Sequence, residues 1–166
     1  MDSIFLDLGD AIKGDSTIDG FKSKIEIMSF SHSVQMQVVN DVSNSQRTSG
    51  KPYLGEFSIS KYVDSTTPTL NQHCCAGTEI KKATITCTRN SGEAKGAPMT
   101  FIKYILDNVY ISSISVNGGG GDKPSESLSL NFSKIRWEKT TQASDGVKKG
   151  TSATSWNAET NKGETK

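Results

Sequence analysis

The chain has 166 residues, enough for one domain, and a formal net charge of +1 at neutral pH. Hydrophobic residues make up 33%, which suits a sandwich or barrel with one thin core and does not suit a helical bundle. Neither a basic block nor an apolar run long enough to cross a bilayer is present, so nucleic acid and membrane insertion are set aside as partners.

The N-terminus is acidic and lacks the basic start and apolar run of a signal peptide, so the chain is expected to be made and folded in the cytoplasm. Ser3 to Leu8 reads as a short strand with Ile4, Leu6 and Leu8 on one face and Phe5 on the other. A polar segment follows and ends in the turn signal Asp19-Gly20. Phe21 to Val34 reads as a longer strand region, interrupted at Phe30 to Ser33, with Phe30 and His32 on one side. Val34 to Val39 can form a strand after the bend. Asn40 to Gly55 looks unstructured, with little to bury except Val42, Tyr53 and Leu54. A loop of that length in a compact domain is usually functional or bound to a partner.

Phe57 to Arg89 is the organising stretch, a strand, a helix and a strand in one reading. Phe57, Ile59 and Val63 share a face at period two. Pro68 suits the first turn of a helix, with Thr67 placed to cap it and Asp64 to complement its dipole. Leu70, His73 and Cys74 share a helix face, and Gly77 ends the helix. One continuous core is expected to hold Phe57, Ile59, Val63, Leu70 and Cys74. Ala83, Ile85 and Cys87 then alternate with threonines as a second strand.

Met99 to Val116 is strongly β, with both faces partly apolar, and reads as a central strand or a pair broken around Asp107-Asn108. Four glycines from Gly118 to Gly121 make a turn. Leu128, Leu130 and Phe132 share one parity and Ile135 and Trp137 the other, so the chain is expected to bulge or change sheet at Ser133-Lys134. Thr141 to Thr154 is polar, Ser155 to Asn157 can form a last short strand, and residues 158–166 read as a disordered tail after a single domain over residues 1–157.

Catalytic chemistry is hard to find. His73 and Cys74 are helix neighbours and point about 100° apart, which precludes a thiol–imidazole hydrogen bond. The three cysteines make no disulfide framework, and with two histidines they match no zinc pattern. No cofactor, metal or catalytic residue is expected. Two rival readings stay open on residues alone: a monomeric β-barrel that binds a small ligand, and an enzyme using Cys74 or Cys75.

An ordered set of stretches carries a resemblance to a known family. These are Lys13-Gly14-Asp15-Ser16 after the first strand, Ile25 to Ser33, Phe57 to Gly77, Tyr104 to Val116 with its glycine run, and Leu128 to Trp137. Together they resemble the Hcp family, the haemolysin-coregulated proteins that form the tube of bacterial type VI secretion systems. The resemblance spans Ser3 to about Trp156. It implies a mainly β fold, a barrel of two packed antiparallel sheets with one short flanking helix, similar to phage tail-tube proteins. It also implies homohexameric rings that stack into a hollow tube, with sheath, spike and baseplate as partners and effector cargo in the lumen. Export without a signal peptide would follow from ejection by the machine. The segment Asn40 to Gly55 corresponds to the extended loop of such barrels, and Ser43, Asn44, Arg47, Lys51 and Tyr53 are the expected ring-stacking residues.

Overall fold

The computed structural model describes residues 3–39, 43, 47–48, 50–89, 98–142 and 148–165. Its elements in order are β1 (Ser3–Asp7), β2 (Ile25–Ile27), β3 (Ser29–Ser31), β4 (Val34–Gln35), β5 (Tyr53–Leu54) and β6 (Phe57–Tyr62). Then come α1 (Thr67–Ala76), β7 (Ile80–Arg89), β8 (Met99–Asn117), β9 (Ser125–Asn131), β10 (Lys134–Gln142), β11 (Lys148–Asn157) and β12 (Lys162–Thr165). The strands pair antiparallel in the order β12-β11-β10-β8-β7-β1-β2, and a second run goes β3-β6-β9-β8. This is the mainly β, two-sheet architecture expected from the sequence.

Strand β8 belongs to both sheets. Its first half, to Asp107, pairs with β10, and from Tyr110 onward it pairs with β9. The change falls at Asn108, whose φ of 52° puts it in the left-handed region that Asn tolerates better than most residues. The inward parity flips there, from Leu106 before it to Val109 and Ile111 after it. Of the two readings the sequence leaves open, a central strand or a pair broken around Asp107-Asn108, the structure takes one continuous strand that changes sheet there. The expected change of sheet at Ser133-Lys134 also occurs: β9 pairs with β6, and β10 with β8 and β11. Ser133 sits at the crossing, donating its N–H to the Asp107 carbonyl at 3.1 Å. On the opposite flank the chain bends between β2 and β3, and the Met28 N–H bonds the Ser60 carbonyl at 2.8 Å. The two sheets therefore curl into a barrel-like body without one continuous closed ladder.

The core fills the space between them. Leu6, Ile25, Phe57, Ile59, Ile85, Leu106, Leu130 and Ile135 are all essentially inaccessible, and each such side chain contributes roughly 1.5–3 kcal/mol through burial. Phe5, on the other face of β1, is covered by Phe21, with ring centroids 4.4 Å apart. Helix α1 lies against β8 with Leu70 buried and Cys74 packed on the core. Gly77 closes it at φ 58°, donating to the His73 and Cys74 carbonyls.

Several expectations are corrected. Val63 is not a core residue: β6 stops at Tyr62, and Val63 is 38% exposed. The inward parity of Phe57 and Ile59 continues to Lys61 instead. The helix begins at Thr67, so Thr66 holds the N-cap position, and the Thr67 hydroxyl accepts the Asp64 N–H. The polar stretch after Thr141 holds much of β11, which pairs with β10 along nearly its whole length. Residues 158–165 are a turn and a strand, not a loose tail. Asn157 Oδ1 accepts the N–H groups of Glu159 and Thr160, which turns the chain back, and β12 then runs along β11 with Gly163 opposite Trp156. The indole lies so close that a Cβ on Gly163 would sit 2.8 Å from its ring. Local turn chemistry and a bare backbone, not apolar content, make this strand.

Candidate functional site

Two features stand out from an otherwise ordinary barrel. One is an arm. After β3 the chain leaves the body, and β4 and β5 form a separate two-stranded sheet with Val34 opposite Leu54 and Gln35 opposite Tyr53. Pairing continues outward: Val38 bridges Thr48, and the Val39 N–H donates to the Arg47 carbonyl at 2.7 Å. The segment 40–55, read as unstructured, is thus at least partly the returning limb of a hairpin. Val34, Met36, Val38, Val39 and Tyr53 all stand between 43% and 63% exposed on it. Among the expected stacking residues, Ser43, Arg47, Lys51 and Tyr53 are exposed on this arm. Asn44, like Val42, lies outside the described residues. Among the described hydrophobic residues of the arm, only Leu54 packs on the core.

At the root of the arm, His32 donates from Nδ1 to the Gly55 carbonyl at 3.1 Å and stacks on Phe57, with ring centroids 5.4 Å apart. Phe30, on the same side as the sequence predicts, also stacks on Phe57, with ring centroids 5.4 Å apart. An open cleft of about 470 Å³ runs beneath the stems, lined by Ser31, Tyr53, Glu56, Ser58 and Asn131 among others.

The second feature was missed from sequence. Lys61 is fully buried, and its ammonium meets Glu126 Oε1 at 2.6 Å, Asp64 Oδ1 at 2.8 Å and the Tyr62 carbonyl at 2.9 Å. Glu126 is buried too and also accepts the Thr67 hydroxyl at 3.0 Å. Asp64 Oδ1 takes the Thr66 N–H and hydroxyl at the start of α1. The Lys-Gly-Asp-Ser segment reaches the same place, for Asp15 accepts the Ser65 hydroxyl at 2.6 Å. Those bonds hold the Asp15 carboxyl below its ordinary range. One ion cluster thus ties β6, β9 and the helix start together. Only the parity was available in the sequence, for Lys61 and Glu126 each stand at the parity of their strands' core residues; that they face each other comes from the β6–β9 register.

The three cysteines are free thiols. Cys75 is exposed, and Cys87 is buried, with burial pushing its pKa to about 11. Among the described residues, no group of three or more His, Cys, Asp or Glu is placed to hold a metal ion. Among them, too, no helix is long and apolar enough to cross a membrane.

A family model described as "Type VI secretion system effector, Hcp" matches residues 5–138. The chain belongs to the Hcp family. A curated relative, Protein hcp1 of Pseudomonas aeruginosa, is 28% identical over 148 residues, covering 89% of this chain and 88% of that protein. Among solved structures, one described as a type six secretion system protein aligns with a TM-score of 0.89 at 22% identity, over 98% of this chain and 99% of that one. Hcp1 from Salmonella typhimurium aligns with a TM-score of 0.79 at 22% identity, over 98% of both chains. These structures share the Hcp fold with this chain, and the family match assigns the chain to type VI secretion.

Proposed function

We propose that this Hcp chain is the structural subunit of a type VI inner tube. Six copies close into a ring, rings stack into a hollow tube, and sheath contraction drives the tube out of the cell with effectors in its lumen. Its partners are other copies of itself, the sheath, spike and baseplate, and the cargo. Its role is structural, not catalytic.

The observation that carries this reading is the arm. An isolated barrel gains nothing by holding five large apolar side chains in water on one hairpin. A stacked ring covers them. The same logic applies to β12, whose residues are all exposed and which pairs with β11 alone among the described residues. Uncovered edges invite a second chain, and a rotationally closed ring is one ordered way to occupy them. In this reading Ser43, Asn44, Arg47, Lys51 and Tyr53 contact the next ring and contribute little to holding one ring together.

Light scattering and electron microscopy of the purified protein test the proposal. Rings are expected at micromolar concentration; a clean monomer there argues for a free ligand-binding barrel instead. Replacing residues 43–50 by a short Gly-Ser link separates the two kinds of contact. Rings should persist while stacking and secretion fail. Rings that fall apart would move the arm to the subunit interface, and normal stacking would make it a surface loop.

A further inference from the structure

The arm leaves and rejoins the barrel at one place, and a titratable side chain stands there. His32, just after β3, donates from Nδ1 to Gly55 on the returning stem, and the Gly55 N–H donates back to the Ser33 carbonyl at 2.8 Å. The stems approach so closely that a Cβ at Gly55 would lie 2.4 Å from Ser33 Oγ. The imidazole is held by the barrel itself. It stacks on Phe57 at an interplanar angle of 15°, meets Phe132 edge-on at 5.7 Å and tilts toward Trp137 at 6.4 Å. A carbonyl oxygen can only accept, so Nδ1 carries the hydrogen and Nε2 is a bare lone pair. That Nε2 is buried and has no hydrogen-bond partner among the described residues.

We propose that His32 is the positioning residue of the arm: its neutral, Nδ1-protonated ring transmits the rigidity of the aromatic core to the arm's root, and a proton on Nε2 releases that setting. The aromatic residues fix the ring, and the ring fixes Gly55. A second proton would place a charged N–H where no acceptor waits. The other titratable groups nearby are the Tyr53 phenol and the Glu56 carboxylate, both in the wall of the cleft. Glu56 already accepts from Asn131 Nδ2 at 3.4 Å. Neither bonds to Nε2. Burial holds the imidazole below its usual 6.5, with the Gly55 bond opposing. The folded-state value is the depressed one. The setting is therefore complete above about 6.5 and is lost as pH falls through the lower folded-state value. Its consequence for stacking rests on the tube reading above; the positioning itself does not.

Amide hydrogen exchange on the full chain tests this. His32→Phe keeps a ring for Phe57 and removes the donor. His32→Asn offers an amide N–H near the place of Nδ1 and removes the titrating nitrogen. His32→Phe should speed exchange at residues 33–39 and 50–55 by about three- to tenfold, as loss of one hydrogen bond implies, and leave β7 and β8 unchanged. His32→Asn should restore most of that protection. After correction for intrinsic rates, arm protection in the wild type should hold above about pH 6.5, the ordinary histidine pKa, fall as the pH is lowered below it, and stay flat in both variants. Unchanged arm protection in His32→Phe, or a flat wild-type profile, overturns the proposal. So does a loss spread evenly through the barrel in both variants, which makes His32 a packing residue only. A loosened arm on intact stacks would leave the positioning role standing and remove the arm from stacking.

Discussion

At the scale of single residues, the buried ion cluster and the buried leucine make opposite demands. Leu70 needs only to be apolar and in place; Leu70→Ala should cost roughly 2–5 kcal/mol, read as a lower denaturant midpoint. An unchanged midpoint would mean that α1 lies loosely on the barrel. Lys61 is different, because its removal leaves the buried Glu126 carboxylate and the partly buried Asp64 without their shared cation. Lys61→Met should cost about 3–5 kcal/mol, whereas Lys61→Met combined with Glu126→Leu should recover most of that loss. A double variant as unstable as the single one would show that the lysine's packing, and not its charge, is what matters. The thiols divide by exposure. An aromatic disulfide reagent should modify Cys75 readily in the folded protein and reach Cys87 only on unfolding, since burial keeps that thiol protonated. Serine at Cys74 and Cys75 should leave assembly and export broadly intact; export lost on an intact fold would reveal a thiol function.

At the scale of elements, the best-read features are those whose signal is apolar periodicity. The parity flip at Ser133 was visible because large side chains change face there, whereas β8, apolar on both faces, showed no flip at Asn108 and left a central strand and a broken pair both open. The helix was visible through Pro68, Leu70 and Gly77. What escaped carries its signal elsewhere. Period-two reading passed over Lys61 to reach Val63, because a charged residue at an inward position looks like a mistake until its partner on β9 is known. The partner is distant in sequence, so no local window contains both. The strand β12 escaped because Lys162 to Thr165 has nothing to bury; its stability comes from Asn157 and from the Trp156 ring over Gly163. Removing residues 158–166 should therefore expose that indole and red-shift its emission, with a small loss of stability. Gly163→Val should do the same without shortening the chain. An unshifted emission in both would mean that β12 adds nothing to the barrel. In the candidate site, the arm's location was legible as a polar insertion, but its hairpin pairing was not, for Gln35, Thr48 and Tyr53 show no alternation.

At the scale of the whole molecule, the proposed stacking contacts differ in kind from those inside one barrel. Arg47 and Lys51 are exposed cations, and any pairing they make across a ring boundary is screened by salt. Tubes should shorten as ionic strength rises from about 0.1 M toward 1 M, over which the screening length drops to about 3 Å, while the apolar core keeps the subunit folded. Tubes indifferent to salt would point to the arm's valines and Tyr53 as the whole contact. The strand shared by both sheets has a further consequence, for the order in which the chain acquires its shape. From β7 onward nearly every strand pairs with one made just before or after it, so this half is a meander of short loop closures. Among the described residues, the N-terminal half has only two such local pairs, β1 with β2 and β4 with β5; otherwise its strands wait for distant partners, Ser3 for Thr88, 85 positions later, and β6 for β9. During synthesis β1 and β6 therefore emerge with one edge still open, and the late meander is the template on which they close. Nascent chains halted before β7 should be protease-sensitive along their whole length, and resistance should arrive abruptly once β9 has cleared the ribosome.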